Sequence, residues 1–147
     1  MATKNRATKS AATDRSASRK RLYDTGLAIR KRVLGAEYVN KSVKNATDFN
    51  RPFQELVTEY CWGAVWGRPG LSKKERSMIN LAMLTALGKP HEVELHVRGA
   101  LNNGLTKAQI TEILLQTAIY CGVPAALESF KVATKVIDEY AGKGKGK

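Results

Sequence analysis

The feature that most constrains this chain is the spacing of its apolar residues. They return every three to four positions, in segments that end at Gly or Pro, and no sustained strand alternation interrupts them. That spacing is the period of an α-helix, so the sequence predicts an all-α fold. Leu22, Gly26, Ile29 and Val33 set the first stripe, which Gly35 ends, and a weaker segment covers Ala36–Val43. Asn50 is expected to cap the next helix, with Pro52 in its first turn and Phe53, Leu56, Val57, Tyr60 and Cys61 as its inward face. Arg68-Pro69-Gly70 is a turn. Ser72–Glu75 and Thr106–Gln109 are capping-box signatures, each opening a helix. Met78, Ile79, Ala82 and Met83 continue the first of these. Ile110, Ile113, Leu114, Thr117, Ala118 and Cys121 form the buried face of the second. Between them a short helix follows Pro90 and ends at Asn102-Asn103-Gly104. A last helix starts near Pro124 and runs to about Tyr140. The expectation is one compact helical domain of about six helices over 22–141, without internal repeats.

Charge limits the classes of partner. The net charge is +12, which favours an anionic partner such as an acidic small molecule, a nucleic acid or a membrane surface. Much of it sits at the ends. The leader 1–21 carries Lys4, Arg6, Lys9, Arg15, Arg19, Lys20 and Arg21 against Asp14, and the tail 142–147 reads GKGKGK. Neither end has an apolar face, so both are expected to stay without regular structure. A solvated tail is preferred to a transit peptide for the leader. Arg30-Lys31-Arg32 reads as a solvated helix face. With 7% aromatic residues and no basic–aromatic alternation, nothing supports nucleic-acid binding. No apolar run reaches the ~20 residues of a membrane span, and no secretory signal is visible, so a cytoplasmic protein is expected. Cys61 and Cys121 make neither a CxxC pair nor a metal-ligand spacing, and both read as small core residues.

Glu92 and His96 stand four apart on one helix face. A carboxylate and an imidazole within reach of one molecule suit proton transfer, although the same spacing also describes an ordinary surface pair. Trp62 and Trp66 are also four apart, just before Arg68. They read either as core packing or as a pocket wall beside a guanidinium that grips a substrate carboxylate. His91 at a helix start reads as exposed.

Three separated blocks resemble the carboxymuconolactone decarboxylase family. They are YDTGLAIRKRVLG at Tyr23–Gly35, DFNRPFQELVTEYCWGAVWGRPGL at Asp48–Leu71, and ELHVRGALNNGLTKAQITEILLQTAIYCGVPAA at Glu94–Ala126. The resemblance spans about Leu22 to Tyr140. It implies an all-helical homo-oligomer, typically a ring-like hexamer, and an enzyme that needs neither metal nor organic cofactor. The implied reaction is decarboxylation of 4-carboxymuconolactone, an acidic lactone, to the enol-lactone of 3-oxoadipate in protocatechuate catabolism. A paralogue acting on another acidic lactone is the alternative. The related alkyl hydroperoxidase D uses a CxxC followed by His. Here those cysteine positions fall near Lys89 and Glu92, so a peroxidase is disfavoured, while His96 matches the shared His. The chemistry of such a reaction suggests His96 as acid or oxyanion donor, Glu92 as the group that orients it or relays the proton, Arg68 and less so Arg98 as carboxylate anchor, and Trp62 and Trp66 as pocket wall.

Overall fold

Helix-forming residues joined by left-handed glycines produce the observed architecture. A computed structural model describes residues 2–144, with side chains for 14–142. The helices are α1 (Ala2–Leu34), α2 (Ala36–Lys44), α3 (Arg51–Leu56), a π-helical segment (Val57–Val65), α4 (Lys73–Ala86), α5 (Pro90–Asn102), α6 (Lys107–Cys121) and α7 (Val123–Gly144). No strand occurs among the described residues, so the all-α expectation holds. Gly35 (φ 93°) and Gly122 (φ 108°) turn the chain where a side chain would be strained. Both capping boxes form as expected. Ser72 Oγ accepts from the Glu75 N–H at 3.2 Å while Glu75 Oε2 accepts from the Ser72 N–H at 2.7 Å. Thr106 and Gln109 repeat the exchange at 3.2 and 3.1 Å.

The described chain falls into two compact units. One comprises residues up to Arg32 together with Ala36–Pro69. The other comprises Val33–Gly35 and the chain from Gly70 onward. In the second unit, Leu81 of α4, Val93, Val97 and Ala100 of α5, Ile110 and Leu114 of α6, and Ala133 and Val136 of α7 close one core. Gly99 lets α5 approach Val33, and the Asn102 amide donates to the Val33 carbonyl at 2.8 Å.

The first unit is built differently. A Cβ on Gly26 would overlap the Thr58 carbonyl oxygen, and one on Gly63 would overlap the Leu22 carbonyl oxygen. Two glycines therefore let α1 and the π-helical segment cross at backbone distance. The segment buries Thr58, Glu59, Trp62 and Gly63. Phe53, Leu56 and Tyr60, assigned inward by an α-helical template, are 63%, 53% and 55% exposed, and Cys61 is exposed too. From Val57 on, the wider i→i+5 turn, seen in the Trp66 N–H bond to the Cys61 carbonyl at 2.9 Å, rotates Tyr60 and Cys61 away from their 3.6-residue prediction. Phe53 and Leu56 precede it, on α3.

Three further expectations are corrected. The stretch expected to lack regular structure is helical from Ala2, because Ala, Arg and Lys favour helix even without an apolar face. The tail's last residues, 145–147, lie outside the described residues. Asn50 occupies the cap position of α3, but its side chain accepts from the Thr47 N–H at 2.9 Å instead of capping the helix. Arg30, placed on a solvated face, is only 6% exposed.

Candidate functional site

Along α5, burial deepens in one-turn steps: Glu92 is exposed, His96 is half-buried and Ala100 is fully buried. His96 thus sits where the helix surface meets the core. Burial lowers its pKa to about 4, and the nearby Glu92 charge opposes that shift without reversing it. The imidazole is therefore neutral at neutral pH. Asn80 of α4 lies against it, with Nδ2 3.4 Å from His96 Nδ1. When the amide nitrogen donates across this contact, Nδ1 is the acceptor and the ring proton sits on Nε2. A neutral imidazole held in that tautomer presents an N–H donor to a developing negative charge. Asn80 was not anticipated. It is 16 residues from His96, and no local spacing connects them.

Arg98, two residues further along and half-buried, binds Glu139 of α7 at 2.9 Å. That pair gives the guanidinium a structural partner. His91 is exposed at the start of α5, as expected.

The other expected site residues belong to the first unit. Trp62 and Trp66 are 3% and 4% exposed, with ring centroids 4.7 Å apart and planes tilted by 34°. Such an arrangement contributes packing energy. Arg68 is exposed in the turn that follows, where its N–H donates to the Val65 carbonyl at 3.1 Å.

The cysteine reading needs correction. Cys61 and Cys121 are both free and exposed, not core residues. The π-helical turn carries Cys61 outward. Cys121 ends α6 and lines a groove of about 330 Å³ with Met78, Ile79 and Ala82 of α4 and Ile113 and Tyr120 of α6. His96 does not line this groove. No cation lines it either, so it is poorly suited to a dicarboxylic acid. Among the described residues no three His, Cys, Asp or Glu side chains come together in a way that could hold a metal ion. No helix among them is long and apolar enough to cross a membrane.

Comparisons with known proteins bear on this geometry. Residues 51–135 match the carboxymuconolactone decarboxylase family. The chain is 47% identical over 128 residues to a nitrosuccinic acid decarboxylase of Metarhizium robertsii, covering 87% of this chain and 90% of that one. It is 40% identical over 117 residues to a 4-carboxymuconolactone decarboxylase of Acinetobacter baylyi, covering 80% and 87%. A family match over more than half of the chain, with relatives aligned over nearly their full length, means that this protein belongs to the carboxymuconolactone decarboxylase family.

Proposed function

We propose that this protein decarboxylates a small dicarboxylic acid whose departing carboxylate sits next to a built-in electron acceptor. In 4-carboxymuconolactone the acceptor is the lactone carbonyl, reached through a ring double bond. Loss of CO2 gives a dienolate, and a proton then adds to carbon. In nitrosuccinic acid the acceptor is the nitro group. Loss of the adjacent carboxylate gives a nitronate, which also takes a proton on carbon. Both reactions place negative charge on an oxygen, retain a second carboxylate and carry their own electron sink.

The observation that carries this reading is the half-buried His96, kept neutral by burial and set against the Asn80 amide. In the proposed mechanism Nε2–H donates to the oxygen that becomes negative as CO2 leaves. Glu92, exposed one turn earlier, relays a proton between solvent and the carbon. In the same reading Asn80 donates to Nδ1 and so keeps Nε2 as the donor. Arg68, in the first unit, is a separate candidate for binding a carboxylate. Trp62 and Trp66 pack on each other in that unit, and Arg98 is held by Glu139.

The lactone is the substrate implied by the residue blocks. Nitrosuccinic acid is the second reading, favoured by the 47% identity over 87% of the chain. Homo-oligomerisation, with the hexamer the size that the resemblance implies, is favoured by apolar side chains left on the surface of α6 and α7, which support association. Ile119, Tyr120 and Val123 are 80%, 82% and 64% exposed, more than a lone small domain ordinarily leaves in one patch. The deciding experiment supplies both acids in competition, follows both products and measures assembly mass in the same sample. Turnover of either acid supports the reaction class, and the ratio of kcat/KM values assigns the substrate. Release of CO2 from neither acid would overturn the reading.

A further inference from the structure

Arg30 is a buried cation without an acid. It is 6% exposed, and no carboxylate pairs with it among the described residues. Its Nη1 donates to Gln54 Oε1 at 2.9 Å and to Thr58 Oγ1 at 3.2 Å, while Nη2 reaches Ser42 Oγ at 3.5 Å. Nε is buried with no hydrogen-bond partner. The other titratable groups acting on the guanidinium are Tyr38, Tyr23 and Cys61, none of them a carboxylate. The only buried acid of this unit, among the described residues, is Glu59, and Arg19 binds it at 3.1 Å. An uncompensated buried charge is costly, and natural structures almost always supply a counter-ion.

The neutral acceptors have a telling arrangement. Gln54 Oε1 and Ser42 Oγ lie 3.3 Å apart, one on each terminal nitrogen of the fork. Two oxygens side by side across Nη1 and Nη2 is how a bidentate carboxylate meets arginine. Gln54 and Ser42 are themselves partly exposed, so the guanidinium lies one side chain below the surface. Rotation of those two side chains would open it.

We propose that Arg30 is a carboxylate-binding residue for a small dicarboxylic acid, with Gln54 and Ser42 holding the empty site as neutral stand-ins. Identification of that acid as the substrate rests on the decarboxylase reading; the anion site itself does not.

The test uses the full-length protein and succinate, a dicarboxylate with no electron acceptor beside its carboxylates. Titration calorimetry gives affinity, and the 15N–1H signal of the Arg30 Nε–H reports contact at the guanidinium. Wild type should bind succinate and shift that signal. R30Q should bind at least tenfold more weakly, with an unchanged or raised Tm, because an uncompensated buried charge has been removed. Q54E supplies a permanent carboxylate to the fork. It should raise Tm and also abolish succinate binding. Should R30Q fail to fold, R30K keeps the charge without the fork and should still bind more weakly. Succinate affinity unchanged in Q54E, or no succinate binding by wild type, would overturn the proposal. Arg30-dependent succinate binding without turnover of either candidate acid would leave the site standing and remove the decarboxylase reading instead.

Discussion

The two units of this protein bury different kinds of side chain. From Gly70 onward the core is apolar: Leu81, Val97, Ile110 and Leu114 are at most 1% exposed. Of these the helical period marks Ile110 and Leu114, while on α4 it marks Ile79 and Met83, which are 44% and 49% exposed, in place of Leu81. Around the π-helical segment polar groups are buried instead. Thr58 and Glu59 are buried while Tyr60 and Val65 stand half in solvent. Burying polar groups is tolerable only where they find partners, and these do. Thr58 Oγ1 donates to the Gln54 carbonyl at 2.8 Å, and Arg19 holds Glu59. The difference shows that a periodicity argument is only as good as the turn it assumes. Adding one residue to the hydrogen-bonded ring moves the whole face.

The strongest test of this contrast is L114A set against L56A. Leu114 is fully buried in the second unit, so its loss should cost about 2–5 kcal/mol in equilibrium denaturation. Leu56 is 53% exposed, and its loss should leave stability nearly unchanged. Equal losses from the two variants would mean that Leu56, at the end of α3, is packed inward after all.

His96 offers the next largest effect. H96Q should lower kcat by about 10²-fold, roughly 2.7 kcal/mol of barrier, with circular dichroism unchanged. Since the neutral ring is the working form, activity should fall as pH drops through about 4. Folding follows the same sign. The unfolded ring titrates near ~6.5 and the folded one near about 4. The unfolded state therefore holds the extra proton between these values, and stability is lost as pH falls from the first toward the second. H96Q should flatten that slope. A wild-type rate that rises on acidification below 5 would assign catalysis to the charged ring.

A smaller effect is expected at the glycine crossing. G26A should cost about 1–3 kcal/mol through overpacking against the π-helical segment, whereas G142A, with nothing within 4 Å of its Cβ, should be neutral or slightly stabilising. A tolerated G26A would show that the two backbones can separate without loss. Least of all, S72A removes one hydrogen bond from a capping box and should cost about 1 kcal/mol. Its Tm should drop by a few degrees, as measured by calorimetry.

Much of the candidate site was legible before the structure, and what was missed has a common cause. Glu92 and His96 share a helix face, so their four-residue spacing was enough to associate them. The Asn80–His96 contact joins residues 16 positions apart, and the Arg30–Gln54 bond spans 24. Nothing in a one-dimensional pattern links such pairs. Arg30 was misplaced because it sits between Ile29 and Lys31-Arg32, a run whose charges suggest a solvated face. The burial of one of them depends on which way α1 turns against its neighbours.

What the sequence determined by itself is therefore local or cumulative. Both capping boxes, the glycine breaks, the all-helical class and the family follow from it, because caps and helical period depend on neighbours within four residues and family likeness sums over many positions. Only the tertiary structure decided which way the π-helical segment faces, that Arg30 is buried without an acid, and that Asn80 meets His96. Each of these depends on the approach of distant segments, and a few ångströms of packing there separate a buried charge from a solvated one.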